Sequence, residues 1–403
     1  MSKINDFTRD ELERIKAIEL YELQRPIKAI CSELRKSRRW FYKWLKRYNS
    51  LDINWFKSIS RAPLLVHNKI PEVKEKEIIK IRNDLTKKRF SQIGAQTIHY
   101  ELLRKGLNPP AISTINNVLK RNNLIIKKDS KNYIKKGKIY PYDYSLCHEM
   151  DFVGPRYLSG GIRYYFLNII DKETHCVDIH VQITKDSIST CNSLITSWQK
   201  MGIPDYLQMD NELCFLGSLR HTGAFGRIIK LCVKLEVTPV FIPQAEPWRN
   251  GVIEHFNNLM QKKLILEDRY DSIKKLEKSI EEFIAYHNNE YHYSTQQGMT
   301  PVQAMNRFGY PLCELDKKLN LNDTQESPLE GEVHIVRFIR SDLKFNFMNR
   351  SFRLPENTKY EYVLGKLILH EHRLVIYKDN EKVKEFEFIV FNNCARSACT
   401  YSN

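Results

Sequence analysis

A chain of 403 residues is longer than one ordinary domain and points to about two to four of them. Its 42% hydrophobic and 11% aromatic content is enough for packed cores and excludes a disordered chain. The net charge of +16 asks for a polyanionic partner or a heavily solvated basic face.

The distribution of that charge is more informative. Residues 1–140 hold 33 Lys and Arg against 14 Asp and Glu, while the remainder holds 31 against 34. All of the excess lies in the first third, which points to nucleic-acid binding there. The nine cysteines are scattered without a C-x-x-C pair, which argues against a disulfide framework or a zinc ribbon and fits a reducing cytoplasm. The opening MSKINDFTRDELERIK is polar, and no long apolar run follows. Neither a secretory signal nor a membrane span is expected, and the expected location is cytoplasmic, on the nucleoid.

Residues 1–55 read as a helical DNA-binding domain. Thr8 is placed to cap a first helix, with Asp10 and Glu11 in its first turn. A second helix starts near Pro26 with the stripe Ile27, Ile30, Cys31, Leu34, and Ser37 caps a third, SRRWFYKWLKRY. Phe41, Trp44, Leu45 and Tyr48 form the apolar face of that third helix, leaving Arg38, Arg39, Lys43, Lys46 and Arg47 largely elsewhere. Two helices joined by a short turn, the second one basic, describe a helix-turn-helix that reads double-stranded DNA in the major groove. Arg38, Arg39, Lys43 and Arg47 are its candidate DNA contacts. A second helical, helix-turn-helix-like module is expected over 62–126. It comprises a helix from Pro71 to about Arg89, another over about Gly94–Lys105, and a third capped by Ser113 and ending near Asn122. The lysine-rich stretch 127–140 reads equally as a solvated linker and as a phosphate track.

From about Ser145 the texture turns to strands. LCHEMDFV, IRYYFLNIID and HCVDIHVQIT are followed by a helix (SISTCNSLITSWQKMG), a strand (DYLQMD), a helix over about 217–235, a strand (VTPVFIP) and long helices over about 251–289. This order implies an α/β core over 141–310, one mixed five-stranded sheet flanked by helices. Six further short strands over 330–390 predict a small C-terminal β-barrel or sandwich, and the tail 391–403 carries no assignment.

Asp151 lies in the first strand, Asp210 at the end of the fourth, and Glu254 in the first turn of NGVIEHFNNLMQKKL. The gaps are 58 and 43 residues. Such carboxylates suit Mg2+, and two ions held by them can clamp the attacking and leaving oxygens of a phosphodiester. Spacing alone does not single these three out of 48 acidic residues. Neighbouring glutamates offer themselves too. Glu212 falls just beyond the strand end, and Glu246 lies in PQAEPWRNG before a proline. Glu254, on a helix start that Val252, Ile253 and Phe256 can anchor, is the better-held ligand.

The flanking residues add a resemblance. MDFVGPRYL, LQMDNELCFLGS, FIPQAEPWRNGVIEHFNNLMQKKL and YHNNEYHYSTQQGMTP resemble the motif blocks of DDE transposases and retroviral-type integrases, in particular bacterial insertion-sequence transposases. The resemblance spans roughly residues 145–305, and more loosely the regions on either side. Glu212 departs from it, since many relatives have glycine after the DN pair, and RHTGAFGR looks like an extra loop beside retroviral integrases. The resemblance implies a ribonuclease-H-like core in which a metal-activated water cuts the element's end and the freed 3′-OH attacks target DNA. Asp151 and Asp210 would share the ions, with Glu254 completing the site. Mg2+, with Mn2+ as substitute, is the implied cofactor. The implied partners are element ends and target DNA, bound by a homo-oligomer. Lys262 and Lys263 resemble the basic residues that hold substrate DNA, though solvated lysines would look the same.

The histidines suggest no zinc. His255 points off the ligand face, and His287 and His292 are five apart, a poor spacing on one helix. Trp40, Trp44 and Trp198 read as core rather than stacking platforms. The alternative to an enzyme is a catalytically silent, domesticated transposase acting as a DNA-binding regulator. A ribonuclease for RNA–DNA hybrids has no use for the helix-turn-helix.

Overall fold

The computed structural model describes residues 7–50, 52–59, 70–125, 140–217, 224–244, 246, 249–266, 269–308 and 330–391. The lysine-rich stretch 127–138, part of the RHTGAFGR loop and the tail beyond 391 lie outside the described residues. The chain divides into two units, Met1–Ile70 and Pro71–Asn403. No described helix is long and apolar enough to cross a membrane.

The first unit is built on α1 (Arg9–Glu22), α2 (Ile27–Glu33) and α3 (Arg38–Tyr48). Thr8 starts α1 through a capping box, its own N–H donating to the Glu11 carboxylate at 2.8 Å. Ser37 starts α3 by accepting from the Trp40 N–H at 3.1 Å. Ala17, Ile30, Cys31 and Phe41 meet in the core, with Leu34 and Trp40 packed at its edge. Burial of a side chain such as Phe41 contributes about 1.5–3 kcal/mol. Trp44 is buried and serves as a platform for the Arg14 guanidinium, 4.0 Å from the ring centre.

The second unit opens with α4 (Glu72–Lys87), α5 (Ala95–Arg104) and α6 (Ile112–Arg121). The cap position of α6 is Ala111 rather than Ser113. Pro109–Pro110 hold the chain extended up to that residue, and the helix begins directly after it. Phe90 packs edge-on against Phe283, Tyr100 stacks on His292 with centroids 4.0 Å apart, and Arg89 donates to the Glu282 carboxylate at 2.6 Å. Several basic residues of this module are therefore committed within the protein. Arg104 pairs with Glu101 at 2.8 Å, and Arg121 pairs with Glu75.

The core sheet starts with the antiparallel strands β1 (Cys147–Tyr157), β2 (Arg163–Asp171) and β3 (Val177–Gln182). After α7 (Ser187–Met201), β4 (Tyr206–Met209) pairs in parallel with β1. The single helix expected over about 217–235 is replaced by α8 (Leu213–Leu216) and α9 (Arg227–Lys234), after which β5 (Thr238–Phe241) pairs in parallel with β4. Then come α10 (Gly251–Met260), α11 (Ile273–Glu290) and α12 (Pro301–Phe308). A π-helical turn, Gln261–Ile265, continues α10. Trp198 is fully buried with Met150, Phe152 and Leu207 on one face of the sheet, while Phe256, Phe283, Phe166 and Ile170 fill the other.

The C-terminal strands correct the sequence expectation of a five-stranded sheet with a separate β-barrel. All six strands form: β6 (Glu332–Phe338), β7 (Lys344–Phe347), β8 (Arg350–Arg353), β9 (Tyr362–Ile368), β10 (Arg373–Lys378) and β11 (Glu381–Glu387). They do not close into a barrel. Four of them extend the core sheet to nine strands in the order β11-β10-β9-β6-β5-β4-β1-β2-β3, and β7–β8 form a separate hairpin. The joint is a parallel pair, with Val240 opposite His334 and Phe241 opposite Ile335. Without it β5 would be an open edge with unpaired N–H and C=O groups. β6 satisfies that edge, and a strand committed there is not free to close a barrel.

Candidate active site

Alternation along β1 decides which side chains meet α10. Met150 and Phe152 face the α7–α9 side, so Glu149 and Asp151 face α10. On β4, Met209 faces the α7–α9 side, and Gln208 and Asp210 face the same way as Glu149 and Asp151. The parallel register places Glu149 beside Gln208. Two residues further along the chain from each, Asp151 on β1 and Asp210 just past the end of β4 lie near enough for the Asp210 charge to act on Asp151.

Each carboxylate is held by a different device. The Asp151 Oδ2 accepts from Asn257 Nδ2 at 2.7 Å, and the Asn257 amide oxygen accepts from Asn168 at 2.6 Å. Asn168 is the β2 partner of Asp151, so strand and helix fix the carboxylate together. The Asp210 Oδ1 accepts from the Glu212 N–H at 3.0 Å, a local turn that holds the side chain beyond the strand end. Burial, then the charge of Asp210, push Asp151 up to about 7. Asp210 is also raised, by burial first and by Glu212.

One turn before Asn257 on α10 stands Glu254, half-buried and raised by burial. Among the described residues its carboxylate has no hydrogen-bond or ion-pair partner. The other two glutamates are engaged. Glu212 pairs with Lys185, and Glu246 accepts from Arg249 at 2.9 Å and from the Tyr362 hydroxyl at 2.7 Å. Beneath the site, buried Glu149 accepts the Ile253 N–H at 2.8 Å and so caps α10 from the strand below. Gln208 donates to Glu149 at 3.3 Å and to the Asn250 side chain at 2.9 Å, tying β4 to the start of the same helix.

Asp151 and Asp210 are thus brought together, and Glu254 lies on the helix that packs over them. Among the described residues no three His, Cys, Asp or Glu side chains converge on one point able to hold a metal ion. The donor chemistry nevertheless fits a hard divalent cation. Two neighbouring carboxylates, both raised by burial and by nearby acids, are what such an ion relieves. Mg2+ takes one or two carboxylates and fills its remaining positions with water and phosphate.

The remaining candidates lie elsewhere. Arg38, Arg39 and Lys43 are exposed on α3 and have no ion-pair partner among the described residues. Arg47 is half-buried, donates to the Lys57 carbonyl at 3.1 Å and stacks on Trp44 at 4.7 Å. Lys262 is exposed and Lys263 half-buried on the π turn, which winds wider than the α-helix before it. His287 is buried, its Nε2 2.7 Å from the Tyr293 hydroxyl, and burial draws it down to about 4. Sequence reasoning missed Asn257, Asn168, Glu149 and Gln208. The signal was the matched spacing of Glu149-x-Asp151 and Gln208-x-Asp210 on strands that pair in parallel.

Two segments of the chain match described families: residues 8–52 a homeodomain-like domain and residues 235–301 an integrase core domain. The chain is also similar to the HTLV-2 integrase catalytic core domain solved in complex with magnesium in a trimeric form. That match has 15% identity, covers 39% of this chain and 94% of that one, and has a TM-score of 0.31. A second similarity is to the catalytic core domain of BIV integrase, at 16% identity, 41% and 97% coverage and a TM-score of 0.32. No curated protein matches the chain. A homeodomain-like segment thus precedes an integrase-core segment in the chain. DNA is the partner that both matched segments imply.

Proposed function

We propose that this protein is a transposase that cuts and joins DNA with the help of divalent metal held by Asp151, Asp210 and Glu254. The observation that carries the reading is the Asp151–Asp210 pair, Asp151 on β1 and Asp210 just past the end of the parallel strand β4, both raised by burial, with the Asp210 charge adding to the rise at Asp151. When bound, Mg2+ or Mn2+ would supply charge neutralisation at the phosphodiester and an activated water or 3′-OH. The chain's own part is positional. Asn257 and Asn168 keep the Asp151 carboxylate turned toward the site, and the Glu212 N–H does the same for Asp210. Glu149 and Gln208 fix the start of α10, and with it the first turn that carries Glu254. Glu254 is preferred over Glu212 and Glu246 because its carboxylate is uncommitted while theirs are paired.

The test is a Mg2+-dependent strand-transfer assay on DNA from the borders of the coding region. Asp151→Asn, Asp210→Asn and Glu254→Gln should each abolish transfer while leaving end binding nearly intact. Glu212→Gln and Glu246→Gln should keep at least about a tenth of it, because losing a residue that only supports a site typically costs less than losing a ligand. A dead Glu246→Gln beside an active Glu254→Gln would move the third ligand into the loop.

A further inference from the structure

A cavity of about 290 Å3 opens beside the Asp210 turn, against the β7–β8 hairpin. Asn211, Arg337, Asn346, Asn349, Arg350 and Ser351 contribute to its walls, and among the described residues no carboxylate lines it. Arg337, on β6, is only 6% exposed. Its Nε donates to the Asn346 carbonyl at 3.1 Å, and its Nη1 to the carbonyls of Ile242 at 3.1 Å and Val336 at 2.8 Å. Its Nη2 donates to the Asn211 side-chain oxygen at 2.8 Å. Every one of these acceptors is neutral, and no Asp or Glu pairs with Arg337 among the described residues. A buried guanidinium is ordinarily matched by an anion, since carbonyl dipoles orient the charge without cancelling it. A guanidinium carries five N–H donors, so these four bonds leave one on Nη2 unused.

Arg350 lines the same space from the hairpin. Its guanidinium lies 4.7 Å from the Phe388 ring centre, and it too has no ion-pair partner among the described residues. The hairpin tip, Met348–Asn349, has φ of 45° and 59°, the tight two-residue turn that fixes the first residue of β8 in place. Beside the apolar Leu213, Leu216, Phe347 and Met348, the polar part of the lining consists of two arginines, side-chain amides and a serine hydroxyl, with no acid among the described residues. The planar fork of arginine matches phosphate oxygens. Asn211 directly follows Asp210 and accepts from Arg337, so the cavity wall begins one residue along the chain from that carboxylate.

We propose that this cavity is a phosphate site, filled by a backbone phosphate of the DNA whose neighbouring phosphodiester lies at Asp151 and Asp210. The DNA part of this assignment rests on the transposase reading, and the anion part does not. The test uses the full chain as wild type, Arg350→Ala and Arg337→Lys. A duplex from the borders of the coding region carries one uncharged methylphosphonate at a time along its backbone, and binding is measured without metal. At one or two positions neutralisation should weaken wild-type binding about tenfold or more. The same change should cost Arg350→Ala much less, because the contact is already lost. Equal losses in both proteins at every position overturn the proposal.

In a second arm, inorganic phosphate is added to the DNA-free protein, with chloride at equal ionic strength as control. Phosphate should raise the melting temperature of the wild type and raise that of the two variants less. A phosphate-specific rise without any coupling on DNA assigns the cavity to free phosphate and overturns the DNA assignment. If Arg337→Lys does not fold, Arg350→Ala decides. Neither arm requires catalysis, so a wild type that binds DNA but never transfers strands would sink the transposase reading and leave the phosphate site to stand or fall on these results.

Discussion

Burial and the Asp210 carboxylate push Asp151 from 3.8 up to about 7, and burial pushes Glu149 from 4.5 up to about 7. An acid raised on folding gives stability that is fully present below its unfolded value and lost as pH rises through the folded one. The metal-free protein should therefore lose stability as pH rises from about 5 to 7.5, in a calorimetric series across that window. Asp151→Asn removes part of this penalty. It should raise the metal-free melting temperature at pH 7.5 by about 2–4 °C, the shift that 1 kcal/mol gives in a domain of 150–250 residues. Added Mg2+ should then stabilise the wild type and not the variant. A variant that melts lower than the wild type, or gains equally from Mg2+, would contradict the assignment. Asn257→Leu should cost about 10–100-fold in strand transfer with DNA binding kept, the usual range for a residue that orients a ligand. The sequence singles out the three acids as candidates because their flanking motifs are specific. It does not single out Asn257 and Asn168, since an asparagine on a helix or strand announces no partner until register and packing bring the two together.

At the scale of elements, local chemistry was easy to read and long-range pairing was not. Thr8 and Ser37 cap their helices as their side chains dictate, and all six C-terminal strands occur where alternation and turn residues put them. What those strands pair with depends on β5, more than 80 residues earlier in the chain, and no periodicity within 330–390 encodes it. The consequence can be tested by cutting the chain after Phe308. The truncated protein would expose the edge of β5 and the apolar surface now covered by Val333, Ile335, Phe345 and Phe388. It should aggregate, or lose cooperative melting, rather than survive as an independent core. A soluble truncation with a sharp melting transition would show that the added strands are dispensable.

For the whole molecule, the charge asymmetry of the sequence predicts how DNA affinity is built. Arg38 and Arg39 stand in the first turn of α3, exposed and without ion-pair partners among the described residues. In the full chain, Arg38→Ala and Arg39→Ala should each weaken binding to border DNA by about 1–3 kcal/mol and weaken random DNA less, as loss of a base contact does. Equal losses on both, with the salt slope reduced by about one per substitution, would make them phosphate contacts instead. The nine-stranded sheet also bears on how such genes can diversify by exchanging parts. A crossover at the boundary between Ile70 and Pro71 falls between the two units and can give the second unit a new DNA-reading partner without cutting a strand ladder. A crossover between β5 and β6 would join strands of different parentage along one ladder, where a register slip of a single residue turns every side chain to the wrong face. Exchange of the helix-turn-helix should therefore be tolerated, whereas an exchange that separates the core from its C-terminal strands should not.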